Sequence, residues 1–148
     1  MMKLFSTVSA SIFLSILLIC FSLSTQAGEF AEKKVVLQIS DADPSKQTLV
    51  LNVANNLLRA YGPDRVSVEI VAFGPGLRLL FNENSNKSRI KGLADNGVEF
   101  TACSNTRKKM SKLLGKPVVL NPVAKSDSPG VVRIANLVTD QGYILVKP

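Results

Sequence analysis

Short apolar runs alternate with longer amphipathic stretches along most of this chain. Val35-Val36-Leu37-Gln38-Ile39 is mostly apolar and β-branched, as a buried strand requires. Asp43 then stands as a natural N-cap before Pro44 at a first helical position, and the helix is predicted to run to Ala60. Leu49, Val53 and Leu57 recur along it as one apolar face, and Gly62 terminates it. Val66 to Phe73 predicts a second strand, with Val66, Val68, Ile70 and Ala72 alternating with Ser67 and Glu69. Gly74-Pro75-Gly76 reads as a tight turn, Leu77 to Phe81 as a short helical turn, and Asn82 to Asn86 as a polar, mobile loop. Ser88 to Asn96 predicts a helix with Ile90, Leu93 and Ala94 inward, followed by the strand Val98 to Ala102. A helix opened by Ser104-Asn105-Thr106 comes next, with Met110, Leu113 and Leu114 as its apolar face. Val118 to Leu120 reads as a strand, Pro122 to Ser128 as a loop, Pro129 to Gly142 as a helix and Tyr143 to Val146 as the last strand. Five strands alternating with helices predict a three-layer α/β/α fold around a mostly parallel sheet.

The first residues break this pattern. Met1-Met2-Lys3 precedes a charge-free apolar run from Leu4 to Leu23, and Thr25-Gln26-Ala27 has the small residues of a cleavage site. The pattern predicts a signal peptide over residues 1–27 and a domain over residues 28–148, exported to the periplasm and free of the membrane after cleavage. The alternative is an uncleaved anchor, since the run is about long enough to span a bilayer. Ile19 before Cys20 argues against lipoprotein processing. At 148 residues and 46% apolar content, the chain suits one domain with its own core.

There is no histidine, which excludes Ser-His-Asp and Cys-His catalysis and the commonest zinc sites. No other feature calls for a metal or a cofactor. The net charge is +7, and much of the excess lies in Arg107, Lys108, Lys109, Lys112 and Lys116. That cluster reads either as a solvated helix face or as a site for an anion or an acidic partner. Nucleic acid is a poor partner for an exported chain with no aromatic ladder among its basic residues.

Cleavage after Ala27 would leave Cys103 as the mature chain's one thiol, unable to form an internal disulfide. It is either reactive or a buried packing residue. In open α/β sheets ligands bind beyond the carboxyl ends of the strands, and Asp41 to Pro44, Gly74 to Gly76 and Cys103 to Thr106 all fall on that edge. At a helix N-terminus, unpaired N–H groups favour a thiolate, and Arg107 one turn in would add positive charge. Gly74 and Gly76 read either as a close backbone approach to a ligand or as a plain turn.

Gly97-Val98-Glu99-Phe100-Thr101-Ala102-Cys103-Ser104-Asn105-Thr106 resembles the G-V-x-F-x-A-C-x-N-T segment of exported DsrE/DsrF-like proteins. Val71-Ala72-Phe73-Gly74-Pro75-Gly76-Leu77 resembles the G-P-G segment of that family, and Ile39 to Pro44, Ser88-Arg89-Ile90 and Pro129 to Ile134 also fit. The resemblance implies a homo-oligomer, trimer or hexamer, and a persulfide-relaying cysteine at Cys103 supported by Asn105 and Thr106. It implies a sulfur carrier more than a turnover enzyme, with donor and acceptor unnamed. The alternative is a non-catalytic module that binds a small anion or a protein, with Cys103 structural. The best understood relatives act in the cytoplasm with dedicated partner subunits, so their reactions do not carry over to an exported chain.

Overall fold

A computed structural model describes residues 31–148. The expected signal segment and its cleavage motif lie outside the described residues. Within them the order is β1 (Lys33–Ile39), α1 (Pro44–Tyr61), β2 (Val66–Ala72), a 3-10 helix (Gly74–Leu80), α2 (Lys87–Asp95), β3 (Glu99–Ala102), α3 (Ser104–Leu114), β4 (Ala124–Lys125), α4 (Gly130–Gln141) and β5 (Ile144–Val146). The five strands form one sheet in the order β4-β3-β2-β1-β5, and every neighbouring pair is parallel.

Strand alternation gives the sheet two unlike faces. One presents Val35, Leu37, Ile39, Val68, Ile70, Ala72, Phe100 and Ala102 to a core shared with α1, the 3-10 helix and α2. Met110 of α3 packs against the same core. The other face is covered by α4, where Val36 and Val71 meet Ile134 and Leu137. Helices on both sides of a parallel sheet make the three-layer α/β/α fold.

Four local expectations change. The buried stripe of α1 is Gln47, Val50, Leu51 and Ala54, whereas Val53 and Leu57 only flank it and Leu49 is 44% exposed. The apolar stripe is wider than the row Leu49, Val53, Leu57, and its centre lies to one side of that row. In α3 no residue is buried, and Leu113 and Leu114 are exposed; of the expected apolar face, Met110 packs against the core.

Val118 to Leu120 does not join the sheet: Leu120 bridges Phe81 in antiparallel fashion, and Asn82 N–H donates to Val119 O at 3.0 Å. An Asn121 turn then redirects the chain, its side-chain oxygen accepting from Val123 N–H and its carbonyl from Ala124 N–H. Only Ala124 and Lys125, inside the expected loop, reach β3. The Asn82 to Asn86 loop is pinned rather than loose. Asn84 donates to Gln47 Oε1 and to Arg78 O, both at 3.0 Å, and accepts from Asn86 N–H at 2.9 Å.

Candidate functional site

Cys103 is where β3 becomes α3. Its N–H donates to Ala72 O at 2.9 Å, continuing the ladder one residue past the end of β3, and its carbonyl accepts the first helical bond from Arg107 N–H at 2.9 Å. It is therefore the N-cap residue of α3, with non-helical backbone. An N-cap side chain points at the unpaired N–H groups of the first turn. Serine or aspartate usually fills that place, and here a sulfur does.

A second helix also begins at this sulfur. Gly130 opens α4, and a Cβ built on it would lie 3.1 Å from the Cβ of Cys103 and 3.1 Å from that of Phe73. Any larger residue would push the start of α4 away from the thiol. With glycine there, the amides of Gly130, Asn105 and Thr106 and the Thr106 hydroxyl are placed to favour a thiolate, though the thiol itself makes no capping hydrogen bond in the structure. Ser128 O accepts from Ser104 N–H at 3.0 Å and so ties the approach to α4 against the start of α3.

Burial is the largest single influence on the Cys103 thiol and pushes its pKa up. The donors on the Thr106 side chain and the Gly130, Thr106 and Asn105 amides, which favour the charged form, act together against it. Their sum prevails, and the thiol lies below its ordinary value. Cys103 is only 6% exposed, so the sulfur is poised for charge but covered by its neighbours.

The residues expected around this cysteine divide into two groups. Thr106 and Gly74 join the site together: Gly74 N–H donates to Thr106 Oγ1 at 3.1 Å, which leaves the hydroxyl hydrogen free to turn to sulfur. Gly74 takes φ +52, a conformation that suits glycine. Asn105 contributes its amide while the residue itself is exposed.

Gly76 and Arg107 serve elsewhere. A Cβ on Gly76 would lie 2.5 Å from Ile39 O, so its glycine lets the 3-10 helix pack against the end of β1. Arg107 Nε donates to Val118 O at 3.3 Å, and the shift of the thiol rests on the amide and hydroxyl donors instead. The carboxylates of the first edge loop are also engaged. Asp41 pairs with Lys46 at 3.0 Å, and Asp43 caps α1 through Ser45 N–H at 2.7 Å. The Ser45 hydroxyl and amide hold Asp43 below the usual carboxylate range.

Sequence reasoning missed two features under α4. One is Gly130 itself, whose only signal is a glycine after a proline at a helix start. The other is Glu69, 1% exposed in the middle of β2. Arg133, one turn into α4, grips it with two bonds of 2.9 and 2.7 Å, and Thr101 Oγ1 donates to it at 2.7 Å. The Glu69 carboxylate in turn holds Arg133 more firmly in its charged form. A charged residue on the polar side of a strand, with an arginine in the later helix, was the available clue.

No family model and no curated protein matches the chain. Among solved structures, a protein of unknown function from Methanobacterium thermoautotrophicum is similar, with 28% identity and a TM-score of 0.68 over 78% of this chain and 99% of that one. It shares the fold and leaves the chemistry of Cys103 to be argued from the site.

Proposed function

We propose that the protein is a sulfur-binding or sulfur-transfer protein of the periplasm in which Cys103 carries sulfur as a persulfide. The observation that carries this reading is the convergence of two helix starts, α3 and α4, on one thiol. Backbone N–H groups and helix dipoles favour the thiolate, which is the nucleophilic form. The resemblance of the segment around Cys103 to exported DsrE/DsrF-like proteins points the same way.

In the step proposed, the thiolate attacks the terminal sulfur of a donor persulfide, R–S–SH. A Cys103–sulfur bond forms, the donor's S–S bond breaks, and R–S⁻ leaves with the electron pair. Cys103 ends as Cys–S–SH. Sulfur moves without net oxidation, and no external oxidant or reductant enters. The terminal sulfur of the product would meet the same donors that stabilise the thiolate.

Copies of the chain are proposed to assemble as a trimer or hexamer. Val131 and Val132 on α4 and Ile144 and Leu145 on β5 are 64%, 51%, 63% and 44% exposed, an apolar surface suited to a subunit contact. Light scattering at micromolar concentration tests this, and a strict monomer would refute it.

A second reading has one observation in its favour. Cys103 is 6% exposed, as a packing cysteine would be, and the protein would then bind an anion or a partner without sulfur chemistry. Intact mass before and after exposure to polysulfide separates the two. Uptake of sulfur atoms by the mature protein, lost in Cys103→Ser, supports the carrier. An unchanged mass supports the binding module.

A further inference from the structure

Beside α3 runs an open groove of about 610 Å³ that begins at Ser104, the residue after Cys103. Arg107, Lys108, Lys112 and Lys116 line it, and no carboxylate does. None of these four joins an ion pair among the described residues. Lys108 and Lys112 lie four residues apart on one side of α3, and Lys116 follows just past its left-handed Gly115 cap. The segment after α3, whose Pro117 lines the groove, is tied to the helix: Arg107 Nε donates to Val118 O at 3.3 Å and Ser111 Oγ accepts from Val118 N–H at 2.9 Å. Leu113 and Leu114 do not line the groove, but they stand between its Lys112 and Gly115 in sequence and are 75% and 55% exposed, an apolar element at its end.

From this arrangement we infer that the groove docks an extended segment of a partner protein, rich in Asp or Glu and bearing apolar side chains, which brings the partner's reacting sulfur to Cys103. The inference rests on the carrier reading of Cys103 and names the kind of partner it takes. The shape favours a segment over a small anion. The eleven residues of α3 extend about 16 Å, and the cations are spread along that length instead of converging on one point. A second copy of this chain is assigned to the apolar surface of α4 and β5 instead, where no cluster of cations has to be matched. Single-stranded nucleic acid also fits poorly, because no aromatic ring lines the groove for stacking.

Fluorescence anisotropy with a short fluorescein-labelled Glu/Leu peptide, and its Lys/Leu counterpart as control, tests the docking. The account expects saturable binding of the acidic peptide only, weakening steeply with salt because exposed charges are screened beyond about 8 Å at physiological ionic strength. Lys108→Glu/Lys116→Glu should weaken it at least about tenfold, since each reversal replaces attraction by repulsion. Both substitutions are solvent-exposed, so circular dichroism should show an intact fold. Equal binding of the two peptides, undiminished binding by the double variant, or tighter binding of a single-stranded oligonucleotide would overturn the inference. The assay involves no sulfur chemistry. A null result therefore removes the groove as a docking site, while the carrier reading stands or falls on the mass measurement.

Discussion

Glu69 and Cys103 lie under the same helix, one beneath Arg133 and the other against Gly130, a turn apart. Each is an acidic group withdrawn from solvent on the α4 side of the sheet, and each is surrounded by donors. The donors differ in kind. Glu69 has a guanidinium that cancels its charge and a hydroxyl that fills a remaining acceptor site. Cys103 has amides, a hydroxyl and two helix ends, with no cation bonded to it. A carboxylate locked by a bidentate cation is held in place and its lone pairs are spent. A sulfur held by dipoles keeps both its charge and its reactivity. One position fastens α4 to the sheet, and the other uses the helix so fastened to tune a nucleophile.

The largest effect should come from breaking the fastening. Arg133→Ala leaves Glu69 buried without its cation and should lower stability by about 3 kcal/mol, toward the lower end of the range for buried pairs because Arg133 is 30% exposed. Glu69→Gln should cost less, since Arg133 can turn to solvent. Urea unfolding of the two variants checks the asymmetry, and equal small losses would place the pair among ordinary surface ion pairs.

Gly130→Ala comes next. Its Cβ would press at 3.1 Å on Cys103 and Phe73, moving the start of α4 at a cost of about 1 kcal/mol. Its amide should lift from the sulfur, and the thiol midpoint should rise toward the free value of about 8.5. An unchanged midpoint would detach α4 from the tuning of the thiol.

Thr106→Val should raise the midpoint only partway toward the free value, because the backbone donors remain. Arg107→Ala should hardly move it, since that side chain bonds to Val118 instead. A rise with Arg107→Ala larger than with Thr106→Val would restore a cation to the site and erase the contrast with Glu69.

The same contrast has a pH signature. The folded thiol lies below its unfolded value, so the unfolded chain binds more protons between the two and stability rises with pH there. The contribution is complete above the unfolded value, about 8.5, and is lost as pH falls through the folded one. Stability of the wild type minus that of Cys103→Ser should therefore increase from neutral to alkaline pH. A flat difference would mean that the folded environment does not favour the thiolate.

Much of this was legible in the sequence because local signals and global fold agree. Asp43-Pro44 caps α1 as expected, Gly62 and Gly142 follow helices as expected, and the period-two run in β2 faces the core as read. The place of Cys103 at a strand-to-helix junction was also legible, and with it the donors from Asn105 and Thr106. What was not legible depends on long-range packing. The approach of Gly130 to Cys103 joins positions 27 residues apart, and the Glu69 pair joins positions 64 apart. Charge in sequence also misled: Arg107 is near Cys103 along the chain, yet its side chain follows the helix flank to Val118. Leu113 and Leu114 look like core by period, yet both are exposed, and Met110 is the residue of that face that packs against the core.

The rate of iodoacetamide labelling of native Cys103 as a function of pH tests the central claim most directly, because it reads the thiolate fraction of one residue in the folded protein. The account predicts labelling without denaturant and a midpoint clearly below about 8.5, with slow absolute rates set by the 6% exposure of the residue. A midpoint at or above that of a free thiol, or labelling only after unfolding, would make Cys103 a packing residue and contradict the account.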